Sequence, residues 1–86
     1  MKLKEGFVLR QVAGEYVVIP SGDELDLNMM ITLNETGSFL WERLIEETSQ
    51  QALVEALLAE YEVTEAEAAA HVAKFVESLK EYGFLE

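Results

Sequence analysis

The spacing of apolar residues changes at Leu33, and this change constrains the fold more than any other feature of the chain. Upstream, every second residue is apolar, a pattern carried by Leu25, Leu27, Met29, Ile31 and Leu33. Downstream of the sequence "NETG", apolar residues recur at helical spacing, as Leu40, Trp41, Leu44 and Ile45. A period of two is typical of a half-buried strand and a period near 3.6 of a helix. The sequence therefore predicts a strand over 25–33 and a helix over about 35–46.

Two further strands are predicted upstream, at 7–12 ("FVLRQV") and 16–19 ("YVVI"), because both segments are rich in β-branched and aromatic residues. Between them, Gly14 supplies the positive φ that a tight hairpin needs. Pro20 lacks a backbone N–H and is predicted to end the second strand. Three successive strands favour a small antiparallel sheet.

Two more helices are predicted downstream. One follows Thr48 or Ser49 as its cap, and its apolar positions are Leu53, Val54, Leu57, Leu58 and Tyr61. The last opens with a capping box of Thr64 and Glu67, and its apolar positions are Ala68, Val72, Phe75, Val76, Leu79 and Tyr82. Gly83 suits its end. The order is β-β-β-α-α-α, so we predict a single α+β domain over 1–86, a three-stranded antiparallel sheet followed by a three-helix bundle, resembling a winged helix-turn-helix.

The sequence "NETG" also matches a glycosylation sequon at Asn34. The first residues of the chain contain no apolar run of signal-peptide length, so we expect no export and no sugar. We predict that Asn34 caps the first helix. Gly37 costs roughly 1 kcal/mol of helix propensity against alanine, and we predict that it allows this helix to pack closely on the sheet.

Composition and charge exclude several classes of function. The chain has no cysteine, which rules out disulfides and thiolate metal sites and favours a cytoplasmic protein. Its formal net charge is −11, which opposes binding to nucleic acid and to anionic membranes. No stretch of the sequence approaches the roughly 20 apolar residues that a membrane span needs.

Residues that could carry catalysis are scarce. There is one histidine, His71, and no phosphate-binding glycine loop or histidine pair at metal-ligand spacing. We therefore predict a protein that is not an enzyme and that needs no metal or cofactor. A winged-helix transcription factor or a structural protein–protein adaptor remains the alternative, although the last helix carries more glutamate than lysine, which disfavours DNA.

The third predicted strand has the features of an open sheet edge. "LDLNMMITL" contains no proline, lysine or arginine, a single charge at Asp26, and two adjacent methionines. Strands at a sheet edge usually carry proline or charged residues, which block pairing with another chain. Two interpretations stand side by side: a peptide adds to this edge as a further strand, or the methionines fill the core and a loop, a helix or a second copy in a homodimer covers the edge.

The chain resembles the PqqD family over nearly its whole length. The resemblance is carried by "GFVLRQVAGEYVVIP", "MITLNETGSFLWERL" and "LVEALLAEYEVTEAEAAAHVAKFVESLKEYGFLE". It implies a non-catalytic recognition element that binds the leader segment of a ribosomally made precursor peptide. Such an element presents the precursor to a modifying enzyme, often a radical S-adenosylmethionine enzyme. The family serves many peptides, so the resemblance does not fix the pathway, pyrroloquinoline quinone included.

The resemblance also implies a set of site residues. Family members receive the leader as a strand on their third strand, in a groove beside their third helix. By position, the strand residues are Asp26, Leu27, Asn28, Met29, Met30, Ile31 and Thr32. The helix wall is drawn from His71, Val72, Phe75, Val76 and Leu79.

Overall fold

The fold was analysed in a computed structural model, which describes residues 1–20 and 31–86. Three strands precede three helices: β1 (Phe7–Val12), β2 (Glu15–Pro20), β3 (Ile31–Leu33), α1 (Glu35–Arg43), α2 (Gln50–Glu60) and α3 (Glu65–Tyr82). The strands form one antiparallel sheet in the order β1-β2-β3. The predicted α+β architecture is confirmed. Residues 25–30 of the predicted third strand lie outside the described residues.

The β1–β2 hairpin turns through two residues, Ala13 and Gly14, and both have positive φ, at 52° and 83°. Val12 and Glu15 pair across this turn. Two central residues with positive φ are the mark of a type I′ turn, whose twist matches that of the flanking strands. Glycine adopts this conformation freely, whereas alanine does so at a cost. The sequence indicated the role of Gly14, but the positive φ of Ala13 was not foreseen.

Each helix begins at a side-chain cap. Asn34 Oδ1 accepts a hydrogen bond of 2.7 Å from the backbone N–H of Gly37, which confirms the predicted cap of α1. Ser49, rather than Thr48, caps α2. Thr64 and Glu67 form the predicted capping box of α3, and Gly83 ends that helix in the left-handed conformation. These caps satisfy backbone N–H groups that have no partner within the helix.

Helix α1 ends at Arg43, earlier than the predicted end near residue 46. The backbone carbonyl of Leu44 accepts a hydrogen bond of 2.9 Å from the N–H of Leu3, so the N-terminal segment takes the place of the next helical turn. Ile45 was predicted to belong to the apolar face of the helix. That prediction is wrong, because the chain has left the helix there and the side chain of Ile45 is 57% exposed.

The core lies between the sheet and the helices. Its largest fully buried side chains are Trp41, Phe84, Leu40, Leu44, Leu53, Leu57, Leu79, Val18, Val72 and Val76. Phe84 packs edge-on against the rings of Phe7 and Trp41, with centroid distances of 4.6 and 5.6 Å. Leu3 and Leu85 pair in an antiparallel bridge, so the first and last residues of the chain close the same side of the core. In the part of the chain that the structure describes, no helix is long and apolar enough to cross a membrane.

Candidate functional site: an open strand edge beside helix α3

Strand β3 is the last strand of the sheet. It pairs with β2 on one side, through Tyr16–Leu33, Val17–Thr32 and Val18–Ile31. On its other side, no strand follows within residues 1–20 and 31–86. A strand in this position presents backbone N–H and C=O groups that are free to pair with another chain.

The hairpin turn determines which groups those are. In a two-residue turn the residues on either side exchange a backbone hydrogen bond, so Val12 and Glu15 form a bonded pair. Bonded and non-bonded pairs then alternate along the strands, and the backbone groups of Tyr16 and Val18 point away from β1, toward β3. Their partners Leu33 and Ile31 therefore bond to β2. By the same alternation, the N–H and C=O of Thr32 point outward, to the open edge.

The position of Pro20 agrees with this assignment. Pro20 pairs with Phe7, and it lies an even number of residues from Tyr16 and Val18, so its backbone groups point in the same direction as theirs. Its nitrogen, which carries no hydrogen, thus faces away from β1, and the β1–β2 ladder loses no bond to it. Pro20 is the last residue of β2, as the sequence indicated.

A groove runs between β3 and α3 along the open edge, and we call it the edge groove. It has a volume of about 270 Å³. Its walls are Ile31, Thr32, Leu33, Asn34, Gly37, Phe75, Ser78, Leu79 and Tyr82. Ile31, Leu33 and Phe75 are partly buried against the core, whereas the side chain of Tyr82 is 55% exposed. An extended peptide bonded to Thr32 would place alternate side chains against this apolar wall.

The edge groove continues past the start of α1 into a second concavity of about 290 Å³, which we call the cationic end. The two share Asn34, Gly37, Phe75 and Ser78. The cationic end adds Thr36, Leu40, His71 and Lys74 to the lining. Both His71 and Lys74 are exposed. No carboxylate is among the described residues that line either part, although the chain has 17 acidic residues.

The structure brings together part of the predicted site. Ile31, Thr32, Phe75 and Leu79 line the edge groove, and His71 lines the cationic end. Val72 and Val76 are buried in the core instead, where they hold α3 in place rather than forming the described walls of the groove. Five predicted strand residues lie outside the described residues: Asp26, Leu27, Asn28, Met29 and Met30.

Several lining residues were not in the predicted set, among them Leu33, Ser78 and Tyr82. A helical wheel would have found two of them, because positions 71, 74, 75, 78 and 82 follow one another at three- and four-residue spacing along one face of α3. Tyr82 had been assigned to the core face of the helix. That assignment is wrong, because its ring stacks on Phe84 at the edge of the core and is otherwise open to solvent.

Few residues in the described part of the chain could bind a metal ion or transfer a proton. Within it, no group of three or more histidine, cysteine, aspartate or glutamate side chains lies close enough to hold a metal ion. His71 lines the cationic end together with Lys74 and Ser78, and no carboxylate is among the described residues there.

The opposite edge of the sheet, at β1, also has a concavity, of about 520 Å³. Charged residues of both signs line it: Lys2, Lys4, Arg10, Glu5 and Glu42. The helix residues that line it are Trp41 and Glu42 of α1. Gln11 pairs with Tyr16, and this pair is a non-bonded one next to the bonded pair Val12–Glu15. The N–H of Gln11 therefore points outward from β1, as that of Thr32 does from β3.

These features define a class of protein: a small α+β domain of three strands and three helices, with an open strand edge beside its last helix. Within that class, the sequence model of the PqqD family, described as coenzyme PQQ synthesis protein D, matches residues 8–85. The chain belongs to the PqqD family. A search of curated proteins found no match.

Two solved structures are similar to the chain. One is described as TbiB1 in complex with the TbiA(beta) leader peptide; it is 24% identical, with a TM-score of 0.78, and the match covers 100% of this chain and 95% of that one. The other is described as lasso peptide synthetase B1 complexed with the leader peptide. It is 27% identical, with a TM-score of 0.72, and the match covers 96% of this chain and 93% of that one. At 24% identity, the first supports the fold alone.

Proposed function

We propose that this protein binds the leader segment of a ribosomally made precursor peptide by strand addition to β3. The leader's backbone bonds to the outward N–H and C=O of Thr32. Its alternate side chains lie against Ile31, Phe75 and Leu79 in the edge groove. Backbone bonds give affinity that is largely independent of sequence, and the groove walls give selectivity.

The open edge of β3 beside an apolar helix wall is the observation that carries this proposal. An exposed strand edge is an aggregation hazard unless it is blocked or occupied. Thr32, at the centre of β3, is uncharged, and the described residues that line the neighbouring groove include no carboxylate. Membership of the PqqD family supports the same function, as does similarity to a lasso peptide synthetase B1 whose structure was solved with a leader peptide.

The module itself is non-catalytic in this proposal, and it presents the bound precursor to a modifying enzyme, for example a radical S-adenosylmethionine enzyme. The described lining of the groove supports this division of labour, since it offers hydrogen bonds and apolar contacts and contains no carboxylate beside His71. The leader and the enzyme are thus two separate partners. The domain spanning 1–86 acts as a single recognition unit.

Thr32→Pro is the variant that tests strand addition most directly. Proline removes the outward N–H of β3 and leaves the ladder to β2 intact, because Ile31 and Leu33 carry those bonds. We expect Thr32→Pro to lower leader affinity at least ten-fold, by the loss of one backbone bond and the fit around it (about 1.4 kcal/mol for each factor of ten). The probes are synthetic peptides that cover the N-terminal segments of candidate precursors encoded near this gene, each titrated by isothermal calorimetry.

Two controls separate edge pairing from damage to the fold. Gln11→Pro removes the equivalent outward N–H from the opposite edge at β1, and we expect it to bind the leader normally. Thr32→Ala keeps the backbone N–H and should also bind normally. Normal binding by a folded Thr32→Pro variant would exclude the strand-addition mechanism. Light scattering with and without peptide checks whether the same edge pairs two copies into a homodimer that competes with the leader.

A further inference from the structure

We infer that the site selects leaders that carry an acidic residue at one end of their apolar segment, and that Lys74 is the specificity-determining residue. This inference deepens the proposed function and rests on it. It arises from the charge of the groove, which differs from that of the chain as a whole.

The charge difference is large. The chain has a formal net charge of −11, so its overall field repels acidic peptides. The edge groove and the cationic end differ from the chain as a whole, since their described lining contains Lys74 and no carboxylate. Among residues 1–20 and 31–86, one ion pair forms within 4 Å, between the N-terminal amine and Glu47. Lys74 is not part of this pair.

The surroundings of Lys74 on α3 leave its charge available. Ala70 and Ser78, one turn away on either side, are uncharged, and Glu77 is the nearest carboxylate along the helix. Glu77 neighbours Lys74 on the helix surface, but the two line different concavities, and Glu77 lies with Lys80 along an adjacent face. His71 adds ring N–H capacity to the same end of the groove as Lys74. A carboxylate that enters the cationic end would therefore meet donors, and no carboxylate is among the described residues that line it.

The spacing along α3 sets where the acidic residue must lie. From Lys74 to Tyr82, which lines the far end of the edge groove, the helix rises roughly 12 Å at 1.5 Å per residue. An extended peptide covers that distance in about four residues at 3.3 Å each. The preferred leader thus carries an apolar or aromatic residue against Tyr82 and a carboxylate about four residues away.

The experiment is a charge-swap cycle between peptide and protein. The synthetic leader is made with each of its acidic residues replaced singly by glutamine or asparagine, and with the most sensitive one replaced by lysine. Each peptide is titrated by fluorescence anisotropy against the native protein, Lys74→Ala and Lys74→Glu. Lys80→Glu is the matched control, because it makes the same charge change on an adjacent face of α3.

We expect that neutralising one particular acidic residue of the leader weakens its binding to the native protein by about three-fold. An effect of this size is typical of an exposed ion pair. The same change should have no effect in Lys74→Ala. Lys74→Glu should bind the lysine peptide more tightly than the native leader, and Lys80→Glu should keep the native preference. Raising the salt concentration should reduce the preference for the acid, since the pair is exposed.

Three results would overturn the inference and leave leader binding intact: a leader without acidic residues that binds fully, an acid preference that persists in Lys74→Ala, or an equal loss in Lys80→Glu. Failure of every peptide to bind the native protein counts instead against the proposed function. Circular dichroism confirms that each variant is folded, which is expected because Lys74 and Lys80 are exposed.

Discussion

At the scale of single residues, Gly37 of α1 lies close to residues of both β3 and α3. A Cβ atom at this position would lie 3.0 Å from Asn34 Oδ1, 3.3 Å from Phe75 Cε1 and 3.4 Å from Leu33 Cβ. The predicted reason for this glycine, close packing of α1 on the sheet, agrees with the contact to Leu33. The contact with Phe75 could not be predicted, because it depends on the angle at which α3 crosses α1.

Gly37→Ala should therefore affect binding more than stability. The added methyl group displaces the ring of Phe75 into the edge groove, and crowding of this kind costs about 1–3 kcal/mol. The gain in helix propensity offsets roughly 1 kcal/mol of that cost. We expect a small loss in the free energy of unfolding, measured by urea denaturation, and a several-fold loss of leader affinity. A stable variant with native affinity would show that Phe75 does not form the wall of the site.

At the scale of elements, the end of a strand or helix can be predicted from the sequence where residues close to it in the chain determine it. Asn34, Thr64 and Gly83 mark helix ends through side-chain bonds or backbone freedom within a few residues, and the sequence predicts all three. The end of α1 was mispredicted because a bond from Leu3, far away in sequence, determines it. The absence of blocking residues predicted an open edge. The sequence did not predict that the N–H and C=O of Thr32 point outward, because the turn between β1 and β2 determines their direction.

That turn can be improved. Ala13 holds a φ of 52°, a conformation that costs a residue with a Cβ about 1–2 kcal/mol. Asparagine tolerates it better, and Asn-Gly is the preferred pair in type I′ turns. We expect Ala13→Asn to raise the free energy of unfolding by about 0.5–1 kcal/mol, measured by urea denaturation, and to leave leader affinity unchanged. Gly14→Ala should act in the opposite direction. A loss of stability in Ala13→Asn would contradict the assigned turn.

At the scale of the whole molecule, the core depends on residues near the chain ends. Phe84 is fully buried and contacts aromatic rings from both the first strand and the first helix. Sequence periodicity could not identify it, because it follows the end of α3 and belongs to no repeating pattern. The helical stripes, in contrast, correctly predicted Leu40, Trp41, Val72 and Val76 as apolar face residues, since those patterns repeat within one helix.

Phe84→Ala should be one of the most destabilising single changes in the chain. Removing a buried phenylalanine costs about 3–5 kcal/mol, a large share of the 5–15 kcal/mol that typically holds a domain together. We expect an early, broadened thermal transition and a loss of leader binding that follows the loss of folded protein. Phe84→Leu keeps most of the apolar volume and should cost much less. Equal stability of the alanine variant and the native protein would mean that the aromatic cluster does not hold the sheet to the helices.

The bridge between Leu3 and Leu85 has a consequence for protein engineering. Because positions 3 and 85 lie side by side, the domain can be spliced into a surface loop of a host protein as a cassette, with both junctions at one point and no strain on the host. The same proximity allows a circular permutant, in which a short linker joins residue 86 to residue 1 and new ends are opened at the exposed turn between β1 and β2. Either rearrangement would carry the strand edge intact into a new context.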